Sequence, residues 1–223
     1  MSKVNLVSQP RKTLSDIDKV PSPQELYDQV MHGKGWPYKN NIEFYLARDR
    51  AFVSLLYLCA CRISEAMQLK LSQLKYEKKR IVIESMLLAK RKPGKAKYRE
   101  AWLPLEGERA MFTETITEYI DMLKTEEPNA ERLFPWSLKK VEYSIFYKGK
   151  LLRSVRFSGT NRAWKVVKCL LPEATAHWLR QYGDDYLYDA WDHDIMAVSD
   201  YTKQDARTLQ LYLRKRYQKY RSV

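Results

Sequence analysis

Arg62 interrupts an otherwise apolar helical run, Phe52 to Leu71 (FVSLLYLCACRISEAMQLKL), in which residues 52–61 are apolar or small. A guanidinium keeps its charge at physiological pH. One that ends such a run packs its stem and directs its head at a carboxylate or a phosphate. A plainer reading stays open: Arg62 offsets the C-terminal dipole of the helix before it and pairs with Glu65, three residues on. His177 and Arg180, in ATAHWLRQY, also stand three apart and share one helix face. Alone this pair carries little weight, since a partly buried histidine is commonly satisfied by backbone. A third concentration of charge is Lys90, Arg91, Lys92, Lys95 and Lys97 within AKRKPGKAK. Lysines do protect exposed strand edges, but this many cations without a neighbouring acid exceed that need and point to phosphate contact.

The surrounding pattern gives these groups their supports. Ser22-Pro23-Gln24-Glu25 reads as a capped helix start, and that helix should end near Gly33. Residues 34–40 (KGWPYKN) form a basic aromatic loop in which Lys34, Trp36 and Lys39 could meet a phosphate, or simply be solvated. The Arg62-bearing helix begins after it, around Ile42 to Arg50. Arg80 to Leu88 and Tyr98 to Leu105 read as strands on either side of the Pro93-Gly94 turn, so the lysines tip a hairpin. Helices are expected from Glu106 to about Lys124 and from Asn161 to Leu170, with a second hairpin over residues 139–157 turning at Lys148-Gly149. A last helix runs from Thr208 to Tyr220. Residues 1–20 read as a flexible basic arm and 21–223 as one domain with a basic tail that includes Arg214, Lys215 and Arg216. The fold class expected is mainly α with a small antiparallel β-sheet.

Forty Lys and Arg against 27 Asp and Glu give a net charge of +13, and the pI is about 9.5. Such a field attracts polyanions, and double-stranded DNA is the leading partner. The apolar run is too short to cross a bilayer, and no leader pattern opens the chain, so a membrane or secreted protein is not expected. Three cysteines, two of them (Cys59 and Cys61) in the apolar run, read as reduced core residues of a cytoplasmic protein. His32, His177 and His193 lack zinc-ligand spacing, and no carboxylate cluster or glycine-rich phosphate loop appears.

In order along the chain, LLYLCACRISEAMQLKLSQL (Leu55 to Leu74), AKRKPGKAKYREAWLPL (Ala89 to Leu105), LFPWS (Leu133 to Ser137), AHWLR (Ala176 to Arg180) and DARTLQLYLR (Asp205 to Arg214) resemble the catalytic domain of tyrosine recombinases, the phage-integrase and Xer type. The resemblance covers most of residues 22–214. It implies DNA cutting without metal, nucleotide or other cofactor, and self-assembly on DNA as a dimer or tetramer. It assigns Arg62 and Arg180 to the scissile phosphate, Lys90 to the hairpin lysine, His177 to the histidine of His-x-x-Arg, Tyr212 to the nucleophile and Glu65 to a supporting role. Lys34, Lys92, Lys95, Lys97, Lys148, Arg214, Lys215 and Arg216 are the expected DNA contacts. Lys203 stands where the family usually has His or Trp, nine residues before the nucleophile. Gln181 replaces a common histidine, and the longer hairpin leaves Lys92 a rival to Lys90. The helical clamp domain that usually precedes this one is not expected from residues 1–20.

The residue types suit the reaction. Attack on a phosphodiester builds charge on non-bridging oxygens, which paired guanidiniums can hold through parallel hydrogen bonds. A tyrosine of pKa about 10 needs that field to favour its phenolate. A lysine beside the leaving 5′ oxygen can protonate it. Two other outcomes fit the same residues: strand resealing in the manner of a type IB topoisomerase, and a catalytically silent DNA-binding relative.

Overall fold

The apolar run becomes the axis of the domain. In the computed structural model, which describes residues 20–89, 96–136, 141–147, 150–157, 159–210 and 213 (backbone alone over 141–147, 150–157 and 159–160), it is the second half of α2 (Ile42–Leu58). Every residue from Ala51 to Leu58 is buried. A helix apolar on all sides needs neighbours on all sides. Those around α2 include α1 (Pro23–His32), α4 (Ala110–Glu126), α5 (Gly159–Leu170) and α6 (Ala176–Ala190), with β3 (Tyr98–Pro104) at its end. The capping box read at Ser22 is present: Ser22 Oγ accepts from Glu25 N at 3.2 Å and Glu25 Oε2 accepts from Ser22 N at 2.8 Å.

α2 stops at Leu58 rather than continuing to Cys61, because Ala60 takes a left-handed conformation (φ 45°) and turns the chain. That end is inside the protein, where carbonyls without partners are costly. Two buried arginines supply donors. Arg109 Nη2 reaches Tyr57 O at 3.2 Å and Leu58 O at 2.9 Å, and Arg99 Nη2 donates to Cys59 O. Their charges also oppose the negative end of the helix dipole. Arg62 is therefore not needed for that task.

β1 (Leu74–Tyr76), β2 (Arg80–Leu87) and β3 form an antiparallel sheet in the order β1-β2-β3. The β2–β3 hairpin is the expected one, paired from Arg80↔Pro104 to Leu87↔Tyr98, with Leu88 N bonded to Lys97 O at 3.1 Å at its open end. The short strand β1 has no signal beyond its apolar start, and it exists because Lys75 and Tyr76 pair with Val82 and Ile81. β4 (Val141–Tyr147) and β5 (Lys150–Phe157) form the second expected hairpin. α7 (Ile195–Thr202) was not anticipated; Asp194 caps it, accepting from Met196 N at 2.8 Å and Ala197 N at 2.9 Å. Residues 1–19 of the expected arm lie outside the described residues, and Val20 already packs on the core.

α6 approaches α2 closely at Gly183, where an added Cβ would lie 2.4 Å from Tyr57 O. A backbone carbonyl cannot swing aside as a side chain can. Gly183→Ala is expected to cost about 3 kcal/mol, seen as a lower urea midpoint at unchanged m, and to impair the cluster around Arg180 as well.

Candidate active site

α3 (Ile63–Ala66) starts immediately after the turn, with Arg62 at its N-cap. Glu65, 1 % exposed, holds three donors: its Oε2 accepts from Arg62 N at 2.9 Å, while its Oε1 accepts from Arg62 Nη1 at 2.9 Å and Ala89 N at 3.1 Å. Burial alone would raise this carboxyl. The Arg62 N–H, the charge of Arg180, the Ala89 N–H and the Arg62 side chain outweigh burial and hold it below the usual range. The Arg62 side chain stays 36 % exposed, so its head remains accessible. Because Ala89 directly precedes Lys90, Glu65 ties the arginine to the root of the lysine hairpin.

α6 opens with Thr175 as N-cap, whose Oγ1 accepts from Trp178 N at 3.2 Å. Arg180 is 4 % exposed. Burial, then the charges of Asp184, Arg62, Glu65 and Arg99, act on it, with burial and the other arginines lowering its pKa. Arg62 and Arg180 therefore face one another electrostatically across Glu65, although they are far apart in sequence. Like charges held together repel, and an anion between them would offset that repulsion. His177 faces solvent, yet enough protein surrounds its ring that desolvation, then Arg180 and Arg62, push its pKa down. The neutral imidazole is thereby favoured at pH 7, able to donate from one nitrogen and accept at the other.

The fold brings Arg62, Glu65, His177 and Arg180 together. Lys203 ends α7 in a left-handed conformation (φ 52°), with Nζ 2.5 Å from Asp200 Oδ1. Lys34 is exposed, but its loop is packed down and not free: Tyr38 donates to Asp49 Oδ2 at 2.7 Å and accepts from Arg48 Nη2 at 2.6 Å, and Lys165 sits over the Trp36 ring. Lys97 is exposed at the hairpin's open end. Lys90, Lys92, Lys95, Lys148, Tyr212, Arg214, Lys215 and Arg216 lie outside the described residues or side chains. Among the described residues no group of His, Cys, Asp and Glu could hold a metal ion, and no helix is long and apolar enough to cross a membrane.

Three residues of this region escaped the sequence reading. Arg99, on β3, donates to Cys59 O and, from Nη1, to Tyr201 O at 3.4 Å, so it joins the end of α2 to α7. Asp184 lies one turn after Arg180 on α6, and its Oδ1 accepts from Gln204 Nε2 at 2.5 Å. The four-residue spacing from Arg180 was the available signal for Asp184. Nothing in the sequence pointed to Gln204.

A mainly helical domain with a three-stranded antiparallel sheet and these two arginines, one capping α3 and one on α6, has the architecture of a tyrosine recombinase catalytic domain. The sequence pattern of the phage integrase family matches residues 40–219, and the chain belongs to that family. Its fold is similar to that of XerH site-specific recombinase bound to difH substrate in a pre-cleavage complex (TM-score 0.57, 18% identity, 90% of this chain and 51% of that chain). XerH in a post-cleavage complex with palindromic difH gives a TM-score of 0.58 at 18% identity and the same 90% and 51% coverage. XerA recombinase gives 0.52 at 19% identity, over 98% of this chain and 69% of that one. The chain thus spans about half the length of the XerH chains. No curated protein matches it.

Glu65→Gln should cost about 2 kcal/mol at pH 7, the scale of charged hydrogen bonds lost. Because the folded pKa is depressed, the contribution is present above the unfolded value of about 4.3 and fades as pH falls through the folded one. Chemical denaturation at pH 7 and at pH 3 should show the difference between the two proteins shrinking at the lower pH.

Proposed function

We propose that this chain is the catalytic domain of a site-specific DNA recombinase or integrase, which cleaves and rejoins strands through a covalent 3′-phosphotyrosyl link. The convergence of Arg62, Glu65, His177 and Arg180 carries the proposal: a half-buried and a buried guanidinium, with a neutral imidazole beside them, suit a phosphodiester passing through a more highly charged transition state. Tyr212 is the nucleophile, its phenolate favoured by the same field. Leu209 and Leu213 on either side of it are buried, which supports an anchored segment there. Lys90 protonates the leaving 5′ oxygen; the bond from Ala89 N to Glu65 favours it over Lys92. The net charge of +13 supports double-stranded DNA as substrate, and Lys34, Lys92, Lys95, Lys97 and Lys148 as backbone contacts. The protein acts as a dimer or tetramer on paired sites, with Arg214, Lys215 and Arg216 in a tail that meets DNA or a neighbouring protomer.

One observation favours the silent DNA-binding reading: Lys203, at the position of a usual family histidine, is held by Asp200. A single experiment separates the readings. The protein is mixed with a pool of short random-sequence duplexes, each nicked at a random position, and denatured; covalent adducts are then mapped by mass spectrometry. An adduct on Tyr212 is expected, and no adduct despite tight binding would establish the silent reading. Adduct on Tyr217 would move the nucleophile.

With a duplex recovered from that pool, Tyr212→Phe should abolish the adduct and leave affinity within about twofold. Arg62→Ala and Arg180→Ala should each slow single-turnover cleavage by about 10²–10³-fold, as for loss of one oxyanion donor. Lys90→Ala should be rescued by a 5′-bridging sulfur, which leaves without a proton; rescue of Lys92→Ala alone would make Lys92 the acid.

A further inference from the structure

Asp184 is an expensive residue for the place it occupies. It is 3 % exposed, and burial pushes its carboxyl up to about 7 despite Arg180, the Gln204 hydrogen bond, Arg99 and Arg62, all of which favour the ionised form. An unfolded aspartate titrates near 3.9. The folded value is the higher one, so this group lowers stability progressively as pH rises from about 4 to about 7 and by a constant amount beyond. An amide of the same shape would avoid that penalty.

Its surroundings say what it does there. Asp184 Oδ1 accepts from Gln204 Nε2 at 2.5 Å, while Asp184 Oδ2 and Arg180 Nε are both buried and have no hydrogen-bond partner among the described residues. The two are an acceptor and a donor, one helical turn apart on the same face of α6. Rotation of the Arg180 side chain to pair them would leave both terminal nitrogens of the guanidinium for another ligand. Gln204 follows the turn at Lys203 and precedes the helical residues 206–210, the start of the segment that continues to Tyr212. Val198 of α7, Leu187 of α6 and Leu209 also pack together in a small apolar cluster that holds the same segment to α6.

We propose that Asp184 is a positioning residue: it orients Arg180 from behind through Nε, and through Gln204 it fixes the start of the tyrosine-bearing segment against the same helix. This rests on the reading of Arg180 as a phosphate holder. Charged and polar groups from each packed element enter the balance: Arg180 on α6, Arg62 at the start of α3, Arg99 on β3 and Gln204 on the linker. The ionised carboxylate is the form that holds the guanidinium. A bound phosphodiester opposes that ionisation, so the effective midpoint in the complex lies above that of the free protein.

Asp184→Asn keeps the acceptor for Gln204 and removes the charge. It should melt no lower than the wild type at pH 8 and bind the recovered duplex within twofold. Its single-turnover adduct formation should match the wild type at pH 6, where both carry a neutral group, and lag about tenfold at pH 9. Titrations of Tyr212 and the general acid are common to both proteins and cancel in the ratio. A rate ratio that stays flat from pH 6 to pH 9 would overturn the role toward Arg180, as would restoration failing in Asp184→Glu while Asp184→Asn is fully active. The tether is read without activity: Asp184→Ala and Gln204→Ala should each raise amide hydrogen exchange at residues 205–210 by at least tenfold, and unchanged exchange would refute it. If the wild type forms no adduct at all, the cleavage reading fails by itself, and the exchange measurement still decides whether Asp184 and Gln204 hold the segment.

Discussion

The buried C-terminal end of α2 is the constraint on which the rest of this structure depends. A helix that ends at the surface leaves its last carbonyls to water. This one ends in the core, so Tyr57, Leu58 and Cys59 take their donors from Arg109 and Arg99. Those arginines come from α4's entry and from β3, so satisfying three carbonyls also fixes the helix against the sheet. The left-handed turn at Ala60 then delivers Arg62 to the start of α3, and Gly183 lets α6 settle against Tyr57 O. Arg180 reaches Arg62 because one residue on α6 lacks a side chain.

The far end of α2's polar neighbourhood is built on a different principle. Arg48 is 4 % exposed and pairs with Asp49 at 3.0 Å, with its guanidinium 4.8 Å from the Tyr45 ring centroid and 4.7 Å from that of Trp136. Cation–π contacts and the Asp49 carboxylate already balance the charge of this arginine within the protein. Burial raises the Asp49 carboxyl, and Arg48 and Tyr38 work against that shift. Two buried or half-buried arginine groups on one chain thus have opposite character: Arg48 is saturated by its own protein, whereas Arg62 and Arg180 share too little negative charge and repel each other.

That shortage of negative charge distinguishes the Arg62–Arg180 cluster from the saturated one at Arg48. Glu65 is held ionised by several donors and so contributes a dependable charge, while Asp184 sits near neutrality and contributes one that varies with its surroundings. A ligand bringing a fixed negative charge would complete the balance.

The sequence by itself determined the groups with local causes. Capping at Ser22 rests on bonds among near neighbours; the β2–β3 hairpin follows from a turn between two apolar runs; the pairing of Arg62 with Glu65 spans three residues. The order of the arginine, lysine, histidine-arginine and tyrosine motifs was equally legible and led to the family. Only the tertiary structure decided how these meet. Nothing local marks Arg99 and Arg109 as donors to the carbonyls of α2, and β1 became a strand only because β2 lay beside it. Lys203 has the spacing of a site residue, yet its ammonium rests on Asp200, a competition between neighbours that linear position does not reveal. The loop of Lys34 and Trp36 read as open, but Tyr38 draws it onto α2 through Asp49. Burial, which shifts His177 and Asp184 and is outweighed by donors at Glu65, depends on contacts between residues far apart in the chain, and no window of sequence contains it.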